Sequence, residues 1–317
     1  MKNRKIFVTG GSGFIGSSVV RSLVENGDYV TVLDNNSRGS LDKLANIKGD
    51  FNFIEGDVRD DSNFKDLDGY DCIVHLAYVN GTKYFYEIPY DILDIGINGM
   101  INVMNSIKKF NIESLVFAST SEVYQLPPKI PTNEDVPLVV PDILNPRYSY
   151  GGGKIASELL AVNFAKQFDL DLKIFRPHNV YGPNMGYEHV IPEIINKVLS
   201  SNDGKVFMQG DGSDTRAFIF IDDFIQAFNI VMNDSSDEMI FHIGNMEEIS
   251  ILEIYKKIIS LSGRNIELIP GERPLGATNR RCPDNSRIRS LGYNQQISID
   301  HGIKLSFDWY KNNHKES

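Results

Sequence analysis

The chain has 317 residues, of which 41% are hydrophobic and 23% are charged. This composition is sufficient to bury a large core, and it excludes the disordered, collagenous and coiled-coil classes of protein. There are 32 Lys and Arg residues against 42 Asp and Glu residues, so the formal net charge is −10. An acidic chain has no general attraction for nucleic-acid phosphate or for an anionic membrane surface, and we expect neither partner.

The cysteine content and the apolar runs bear on the location of the protein. Cys72 and Cys282 give neither a disulfide framework nor a metal-ligand spacing, so we expect no metal site and a reducing, cytoplasmic environment. The first residues contain only a short apolar stretch, at 6–8, which does not fit a signal peptide. No run reaches the roughly 18 apolar residues of a membrane-spanning helix.

In the first half of the chain, short β-branched or aromatic runs alternate with longer helical patterns. This alternation is typical of βαβ units around a parallel sheet, and near-continuous apolar strands indicate a sheet covered on both faces. The runs predict strands at residues 5–9, 29–34, 51–55, 72–76, 114–118 and 172–176. The patterns between them predict helices at residues 14–26, 62–67, 92–110 and 150–167.

After residue 176 the alternation breaks into Gly- and Pro-rich segments, which predicts loops and small elements in a second lobe. These segments lie at residues 181–185, 210–213 and 270–276. A strand at 217–221 and the helix after it are expected to return to the first lobe. We therefore predict an α/β fold in which a doubly wound parallel sheet carries a smaller C-terminal α/β substrate lobe. The expected domains are 1–177 with about 216–240, and 178–215 with about 241–317.

A glycine-rich turn directly follows the first predicted strand and opens the first predicted helix. Gly10, Gly13 and Gly16 permit a tight turn and let backbone N–H groups and the helix N-terminus approach a pyrophosphate. Asp34 ends the second strand about 20 residues on, where a carboxylate accepts adenosine ribose hydroxyls and favours NAD over NADP. These features predict a Rossmann domain with NAD as its cofactor. The alternative is a plain tight turn capped by Asp34.

Further cofactor contacts are expected at the carboxyl edge of the sheet, where ligands bind in doubly wound folds. Asp57 follows the third strand and would face the adenine, and Ala77 would line the cofactor channel. We interpret His75 as a packed strand residue rather than a catalyst, and Arg38 as a solvated loop arginine within reach of the cofactor. The remaining expected cofactor contacts are Phe14, Ile15, Asn35, Val58, Leu76 and Pro177.

Tyr150 and Lys154 stand four residues apart, which places a phenol and an ammonium on one face of a helix. An unperturbed tyrosine has a pKa of about 10, and a neighbouring ammonium lowers that pKa by favouring the phenolate. We therefore predict that Tyr150 takes a hydroxyl proton as a hydride leaves the substrate. Tyr148 has no such partner, because Gly152 stands four residues after it. The glycines at 151–153 disfavour a helix, which predicts close approach of cofactor or substrate, or a helix that begins there.

Taken together, these residues resemble the extended short-chain dehydrogenase/reductase family of nucleotide-sugar epimerases, dehydratases, decarboxylases and dehydrogenases. The resemblance covers nearly the whole chain and also rests on residues 120–122 (TSE), 176–183 (RPHNVYGP) and 216–223 (RAFIFIDD). It implies that Thr120 shares a hydrogen bond with the C4 oxygen of the sugar and that Tyr150 is the base. Lys154 would bind the nicotinamide ribose and tune Tyr150.

The same resemblance implies the substrate contacts. Asn179 and Arg216 match positions that hold the sugar-nucleotide pyrophosphate, for which the arginine fork is suited. Residues 280–286 resemble a late nucleoside-binding segment with Arg281 as a pyrophosphate or ribose contact, the alternative being a solvated face. His189, in the unusual segment 187–189, is assigned to the sugar. The expected substrate is a GDP- or UDP-linked sugar.

Members of the family that this chain resembles differ at the position of Glu122. Its 4,6-dehydratases place a glutamate here to remove the C5 proton, several decarboxylases carry the same run, and typical UDP-galactose 4-epimerases have no acid. Ser121 replaces the Asp of the dTDP-glucose type, although the GDP-mannose type also has Ser. Gly96 stands where Asn is common, and Tyr78 stands where a small residue is usual. The general pattern of the chain, together with its segment 187–189, resembles bacterial surface-polysaccharide enzymes, and a GDP-heptose 4-dehydrogenase of a capsule pathway is a specific candidate.

The sequence thus predicts NAD-dependent oxidation at C4 of a nucleotide-activated sugar by a 4-dehydrogenase or 4-epimerase of surface-polysaccharide biosynthesis. A 4,6-dehydratase that uses Glu122 as the C5 base is the alternative. A non-catalytic NAD-sensing protein on the same fold is the rival from another class. Thr120, Tyr150 and Lys154 argue against the sensor, which needs no such set. The resemblance also implies a homodimer through the helices at 92–110 and 150–167.

Overall fold

The computed structural model describes residues 3–272 and 278–314 and divides into two compact units. The first unit comprises the chain up to Gln125, Pro137–Pro177 and Phe228–Phe241. The second comprises Leu126–Val136, His178–Ala227 and the chain from His242 onward. Residues 216–227, expected in the first domain, thus fall in the second unit, whereas 228–240 fall in the first. Most of the segment expected to be a loop at 270–276 lies outside the described residues.

The elements alternate along the first half of the chain as the sequence predicts. The strands are β1 (Lys5–Thr9), β2 (Tyr29–Asp34), β3 (Phe51–Glu55), β4 (Cys72–His75), β5 (Ser114–Ala118), β6 (Asp171–Pro177), β7 (Val180–Tyr181), β8 (Lys205–Phe207), β9 (Thr215–Ala217), β10 (Ile219–Phe220), β11 (Ile240–Ile243), β12 (Glu248–Ser250), β13 (Glu267–Ile269) and β14 (Arg280–Arg281). The helices are α1 (Phe14–Glu25), α2 (Thr82–Glu87), α3 (Pro89–Phe110), α4 (Ser149–Phe168), α5 (Val190–Ser200), α6 (Ile221–Met232), α7 (Ile251–Ser262), α8 (Ser286–Ser290) and α9 (Ile299–Asn313).

A seven-stranded sheet has the order β11-β6-β5-β4-β1-β2-β3, and the pairings from β6 to β3 are parallel. The strand order reverses on the two sides of β1, as it does in a doubly wound sheet. The predicted α/β Rossmann fold is therefore confirmed. The carboxyl ends of the parallel strands meet at one edge, and this edge positions the loops that follow β1, β2, β4 and β5.

The core of the first unit lies where α3 and α4 pack against each other and against β4 and β6. Phe7, Ile73, Leu115 and Ile174 are fully buried in this core. Burial of such a side chain is worth about 1.5–3 kcal/mol, so the sheet and the two helices stabilise one another. Long helices of this kind also hold the residues at their N-terminal ends in fixed positions.

The two long helices, α3 and α4, have the same kind of C-cap. Pro89 occupies the first turn of α3, where its missing N–H has no consequence. The residue after α3 is Asn111 with φ 54°, and the residue after α4 is Asp169 with φ 56°. Both adopt the left-handed conformation that stops a helix, and Asn and Asp tolerate it better than most residues.

The second unit contains small sheets and helices. β12, β9 and β14 form a three-stranded sheet, β10 pairs in parallel with β7, and β13 pairs in parallel with β8. α5, α7 and α9 pack against one another. Ser250 and Glu253 form a capping box that begins α7. Among the described helices of the whole chain, none is long and apolar enough to span a membrane.

Some predicted elements differ from those in the structure. The helix expected at 62–67 is a short 3-10 helix, Asp61–Phe64, because Asp60 caps a turn that is too short for an α-helix. The strand expected at 217–221 is interrupted at Phe218 and gives way to α6 at Ile221. α2 and β11 were not predicted.

Candidate active site

The glycine-rich turn after β1 has the shape of an anion cradle. Gly10 has φ +76°, and a Cβ there would lie 2.6 Å from the backbone nitrogen of Ala77. A Cβ on Gly16 would overlap the carbonyl oxygen of Gly10. Gly13 is the N-cap of α1 and provides no side-chain cap, so the first N–H groups of the helix face outward for an anion. The turn therefore fits a pyrophosphate group.

Asp34 fixes this turn and retains capacity for a ligand. Its Oδ2 accepts a hydrogen bond from the Ser12 backbone N at 2.9 Å, and its Oδ1 accepts one from the Asn36 backbone N at 2.9 Å. Each carboxylate oxygen has two acceptor sites, so ribose hydroxyls can still be bound. The loop-cap alternative and the cofactor role are therefore compatible.

The residues after β2 and β3 come together at the edge of the sheet. Asn35 donates from Nδ2 to Asp57 Oδ2 at 3.1 Å, and Arg59 donates from Nη2 to the same oxygen at 2.8 Å. These hydrogen bonds, chiefly that of Arg59, lower the pKa of Asp57. Val58 is buried, and its side chain packs beside Gly99 of α3, so the side chain belongs to the core.

Arg38 is packed rather than solvated. Its Nη1 donates to the Tyr84 hydroxyl at 2.8 Å, and its guanidinium carbon lies 4.6 Å from the centroid of the Tyr84 ring. The interpretation of Arg38 as a solvated loop residue was wrong. The unpredicted helix α2 supplies the tyrosine that holds it.

His75 fixes the strand end below the glycine turn. Its Nδ1 forms a 2.7 Å hydrogen bond with Thr9 Oγ1, and the Ala77 backbone N donates to the same hydroxyl at 3.3 Å. The Leu76 backbone N donates to the Thr9 carbonyl oxygen at 3.0 Å. Burial, and then the charge of Lys154, lowers the pKa of His75 to about 3, so the imidazole is neutral. The interpretation of His75 as a packed strand residue is confirmed.

Tyr150 lies in the first turn of α4 inside an aromatic enclosure. The Phe85 ring stacks on it with centroids 5.3 Å apart, and the Tyr78 ring meets it edge-on at 5.2 Å. Burial raises the pKa of Tyr150, a side-chain hydrogen bond with Thr120 lowers it, and the Glu122 carboxylate raises it. The structure therefore brings Thr120, Tyr150 and Glu122 together.

Thr120 is held by the turn that follows β5. It is the N-cap of a short 3-10 helix, Ser121–Val123, and its Oγ1 accepts a hydrogen bond from the Glu122 backbone N at 3.1 Å. Ser121 is buried. Thr120 is thus fixed with its hydroxyl toward the phenol of Tyr150.

Lys154 lies one helical turn after Tyr150 and is buried. Its Nζ donates to the Ala118 carbonyl oxygen at 2.6 Å and lies 4.1 Å from the Tyr78 ring centroid and 4.7 Å from that of Phe117. Burial lowers the pKa of Lys154 to about 7. We expected its ammonium to lower the pKa of Tyr150 below the usual value. The pKa of Tyr150 is instead raised, because burial of the phenol outweighs the favourable interactions.

A buried ion pair that we did not predict supports this helix. Glu158, four residues after Lys154, accepts hydrogen bonds from Arg176 Nε at 2.9 Å and Nη2 at 2.6 Å. Ser119 donates to the same carboxylate, and Arg176 also donates to the Tyr124 hydroxyl. Two features of the sequence could have indicated this ion pair. They are the four-residue spacing of Lys154 and Glu158 and the presence of an arginine in an apolar strand.

The glycines of α4 are explained by protein contacts. The helix begins at Ser149, before the glycine run. A Cβ on Gly151 would lie 2.9 Å from the Glu122 carbonyl oxygen, and a Cβ on Gly153 would overlap the Tyr78 hydroxyl. Gly152 has nothing closer than Val140 Cγ2 at 3.5 Å. The expectation that the helix begins at the glycines was therefore wrong, whereas the approach of a ligand to them stays a prediction.

The second unit brings three predicted substrate residues together. Arg281 of β14 is directly opposite Arg216 of β9 in parallel register. Asn179 donates from Nδ2 to the Ala217 carbonyl oxygen at 2.9 Å, beside Arg216. Two arginines at paired positions of neighbouring strands are suited to a pyrophosphate.

The segment 187–189 immediately precedes α5. His189 is the N-cap of α5, and no described side-chain hydrogen bond caps the helix there. The Tyr187 ring lies 5.3 Å from the Tyr310 ring of α9. Of the other predicted cofactor residues, Phe14 and Ile15 form the first turn of α1, and Pro177 ends β6.

Comparisons with known proteins agree with this geometry. Residues 6–244 match the model of the NAD dependent epimerase/dehydratase family. The chain is 32% identical over 319 residues to a putative UDP-glucose 4-epimerase of Methanocaldococcus jannaschii, an alignment that covers 98% of this chain and 99% of the relative.

Two solved structures are similar over nearly the whole chain. A UDP-glucose 4-epimerase of Thermotoga maritima with UDP-glucose has a TM-score of 0.88 at 25% identity, covering 98% of this chain and 100% of that one. DesIV of Streptomyces venezuelae, a dTDP-glucose 4,6-dehydratase with NAD bound, has a TM-score of 0.87 at 28% identity, covering 98% and 97%. The similar proteins thus include both an epimerase and a dehydratase.

Proposed function

The chain belongs to the NAD-dependent epimerase/dehydratase family, and from that premise we propose that it oxidises C4 of a nucleotide-activated sugar. NAD is its cofactor. The oxidised sugar is either reduced again from the opposite face, as in a 4-epimerase, or released, as in a 4-dehydrogenase. The observation that carries the proposal is the hydrogen-bonded pair of Thr120 and Tyr150, with buried Lys154 one helical turn away.

The cofactor fits the cradle described above. The backbone of Gly10, Gly13 and Gly16 and the first turn of α1 would hold the pyrophosphate, and Asp34 would accept the adenosine ribose hydroxyls. When bound, NAD supplies the acceptor for the hydride that leaves C4.

Tyr150 acts as the general base in the proposed reaction. Its phenol oxygen takes the proton of the C4 hydroxyl. The Thr120 hydroxyl, which forms a hydrogen bond with Tyr150, would also form one with the C4 oxygen of the sugar. The raised pKa of Tyr150 means that burial by itself keeps the phenol protonated. The Thr120 hydrogen bond favours the phenolate, and we propose that the ammonium of Lys154, one helical turn away, does so during the reaction.

We propose that the second unit binds the nucleoside diphosphate of the substrate. Arg216 and Arg281 would bind its phosphate oxygens, with Asn179 beside them. We propose a GDP- or UDP-linked sugar, and the UDP-glucose 4-epimerases among the relatives support the UDP alternative. His189 as a sugar contact, the place in surface-polysaccharide biosynthesis and the GDP-heptose substrate stay predictions.

The test is a panel of UDP-, GDP- and dTDP-sugars, incubated with the purified protein and followed by mass spectrometry and NMR. A product of unchanged mass whose NMR spectrum shows the opposite configuration at C4 supports the epimerase. A product that is lighter by two hydrogens supports the dehydrogenase. If every sugar in the panel stays unchanged, with no C4 label exchanged, the proposal of C4 oxidation fails.

A 4,6-dehydratase is the second candidate, because the Glu122 carboxylate lies close enough to Tyr150 to raise its pKa. In a dehydratase, Glu122 removes the C5 proton after C4 is oxidised. We favour C4 chemistry alone, because the preceding residue is the buried Ser121 and provides no second acid.

Substitution of Glu122 separates the two candidates. In a dehydratase, Glu122→Gln still forms NADH from bound substrate but no longer releases water, whereas in an epimerase it changes substrate affinity more than turnover. Turnover in deuterium oxide gives an independent readout by NMR, and Glu55→Gln, at the exposed end of β3, is a matched control. Uptake of deuterium at C5 that depends on Glu122 would establish the dehydratase.

A further inference from the structure

We propose that Tyr78 is a positioning residue for Lys154. Its ring holds the ammonium by a cation–π contact, and Gly96 and Gly153 provide the space that its phenol occupies. The inference rests on the proposed function only in so far as Lys154 takes part in the reaction. The contact itself can be measured without any turnover.

The geometry places one aromatic ring against both members of the predicted catalytic pair. Lys154 Nζ lies 4.1 Å from the centroid of the Tyr78 ring, well within the distance at which a cation is attracted to a ring face. The same ring meets the Tyr150 ring edge-on, with centroids 5.2 Å apart at 84°. A side chain at position 78 therefore determines where the ammonium lies relative to the phenol of Tyr150.

Two glycines on neighbouring helices make this arrangement possible. A Cβ on Gly96 of α3 would overlap the hydroxyl and the ring of Tyr78, and a Cβ on Gly153 of α4 would overlap its hydroxyl. Glycine inside a helix lowers stability relative to alanine, so both positions need a reason. The reason is that the large side chain of Tyr78 fills the space that a Cβ at position 96 or 153 would occupy.

The other groups that face Lys154 cannot replace the ring. His75, from β4, is neutral because burial lowers its pKa to about 3. Glu158, on α4, favours the ammonium but is engaged by Arg176 of β6 through two hydrogen bonds. Tyr150, on the same helix, has a raised pKa, so before substrate binds its phenol provides no negative charge to hold the ammonium.

β5 provides two further contacts with Lys154. The residues of α3 that lie next to this site are uncharged. The Ala118 carbonyl accepts a hydrogen bond from Nζ, and the Phe117 ring lies 4.7 Å away, farther than the Tyr78 ring. From α3, the residues that pack next to Tyr78 and His75 are the uncharged Gly96 and Gly99. Tyr78 therefore supplies the nearer of the two ring faces.

The first experiment measures the pKa of Lys154 by NMR in full-length protein with isotope-labelled lysine. Burial already lowers this pKa to about 7, and loss of the ring removes a stabilising contact of the charged form. We expect Tyr78→Leu to lower it further by about half a unit to one unit, and Tyr78→Phe, which keeps the ring, to leave it unchanged. Phe85→Leu is the matched control, because Phe85 stacks on Tyr150 and its ring has no described contact with Lys154. An unchanged pKa in Tyr78→Leu, or equal shifts in Tyr78→Phe and Tyr78→Leu, would overturn the assignment to the ring.

The second experiment relates the contact to the reaction. The alkaline limb of the kcat profile should move to lower pH in Tyr78→Leu by the same amount as the Lys154 pKa, and should stay in place in Tyr78→Phe. If the NMR shift appears but the kcat profile does not follow it, the role of Lys154 in the reaction is wrong while the contact stands.

The third experiment tests the space between the helices with a double-mutant cycle. Gly96→Ala should lower the midpoint of urea unfolding in the wild-type background and should do so much less in the Tyr78→Leu background, where the hydroxyl and ring are gone. Gly152→Ala, on a position without a close neighbour, should show no such dependence. Equal effects of Gly96→Ala in both backgrounds would show that Tyr78 is not what the glycine accommodates.

Discussion

At the scale of single residues, burial opposes the role as a base that we propose for Tyr150. The ring of Phe85 and the ring of Tyr78 remove water from the Tyr150 phenol, and its pKa rises. The proposed role of Tyr150 as a base therefore depends on interactions that favour its anion, of which the side-chain hydrogen bond with Thr120 is one. The sequence indicated the pair of Tyr150 and Lys154 through its four-residue spacing, but it gave no information about the aromatic rings that enclose Tyr150.

Tyr150→Phe should abolish oxidation at C4 while leaving NAD binding nearly unchanged, because the phenol acts as a base and adds little to pyrophosphate binding. Removal of a general base commonly lowers the rate by about 10²–10⁴. Single-turnover formation of NADH measures the chemistry, and titration of NAD by fluorescence measures binding. Tyr148→Phe, two residues earlier, is the matched control and should retain activity. Near-normal turnover in Tyr150→Phe would refute its assignment as the base.

The lowered pKa of Lys154 predicts how the free energy of unfolding depends on pH. Its folded-state pKa is lowered from 10.5 to about 7, so between these values the unfolded chain binds more protons than the folded protein. Stability should therefore rise as pH increases above 7, which linkage requires of any lysine whose pKa is depressed by burial. Below pH 7 the lysine is protonated in both states and its contribution no longer changes.

Urea unfolding between about pH 7 and about pH 8 measures this rise. The thiol of Cys72 has an ordinary pKa of 9.0, which burial raises, so it stays mostly protonated in both states over that range. Lys154→Met removes the titrating group and should show a smaller increase in the free energy of unfolding over the same range. Equal slopes for the two proteins would mean that burial does not depress the pKa of Lys154.

At the scale of elements, α4 offers a direct test of why its glycines are present. Gly151→Ala should lower the free energy of unfolding, because its Cβ would lie 2.9 Å from the backbone oxygen of Glu122. Gly152→Ala should raise it by about 0.5–1 kcal/mol, since alanine favours a helix and this position has room. Chemical denaturation of both variants gives the answer. The same sign of effect for both would contradict the packing explanation.

The parallel strands could be predicted because their apolar runs are almost continuous, as expected for a sheet covered on both faces. β1, β2, β3 and β5 coincide with their predicted bounds. α2 was missed because Thr82–Glu87 is shorter than two helical turns and gives no clear periodicity. β11 was missed because its four residues pair with a strand far away in sequence.

The site could be predicted only as far as motifs and spacing reach. The glycine turn, Asp34 and the Tyr150 and Lys154 pair carry local patterns, and the family and the cofactor inferred from them are confirmed. The contribution of Tyr78 could not be predicted, because it depends on two glycines that are 18 and 75 residues away in sequence and adjacent only in the fold. Contacts of this kind leave no local pattern.

At the scale of the whole molecule, the outer surface of α3 and α4 is the feature that the fold of one chain leaves unexplained. Ile92, Val103 and Met104 are buried within the protein, so part of the apolar content of α3 belongs to the core. Leu159 of α4, however, is 61% exposed, and Ile101 of α3 is 37% exposed. Exposed apolar side chains on neighbouring helices are typical of a surface that a second chain covers.

We therefore expect a homodimer in which α3 and α4 of each chain form a four-helix contact. Sedimentation at micromolar concentration should show about twice the 35.7 kDa of one chain. Leu159→Lys places a charge on the contact and should shift the protein to a monomer, because an unpaired charge is costly in an apolar interface. Leu305→Lys is the matched control, since Leu305 is an exposed leucine on α9, and it should leave the dimer intact. A species of about 36 kDa in the unmodified protein would show that the two helices are a solvent-exposed surface of a monomer.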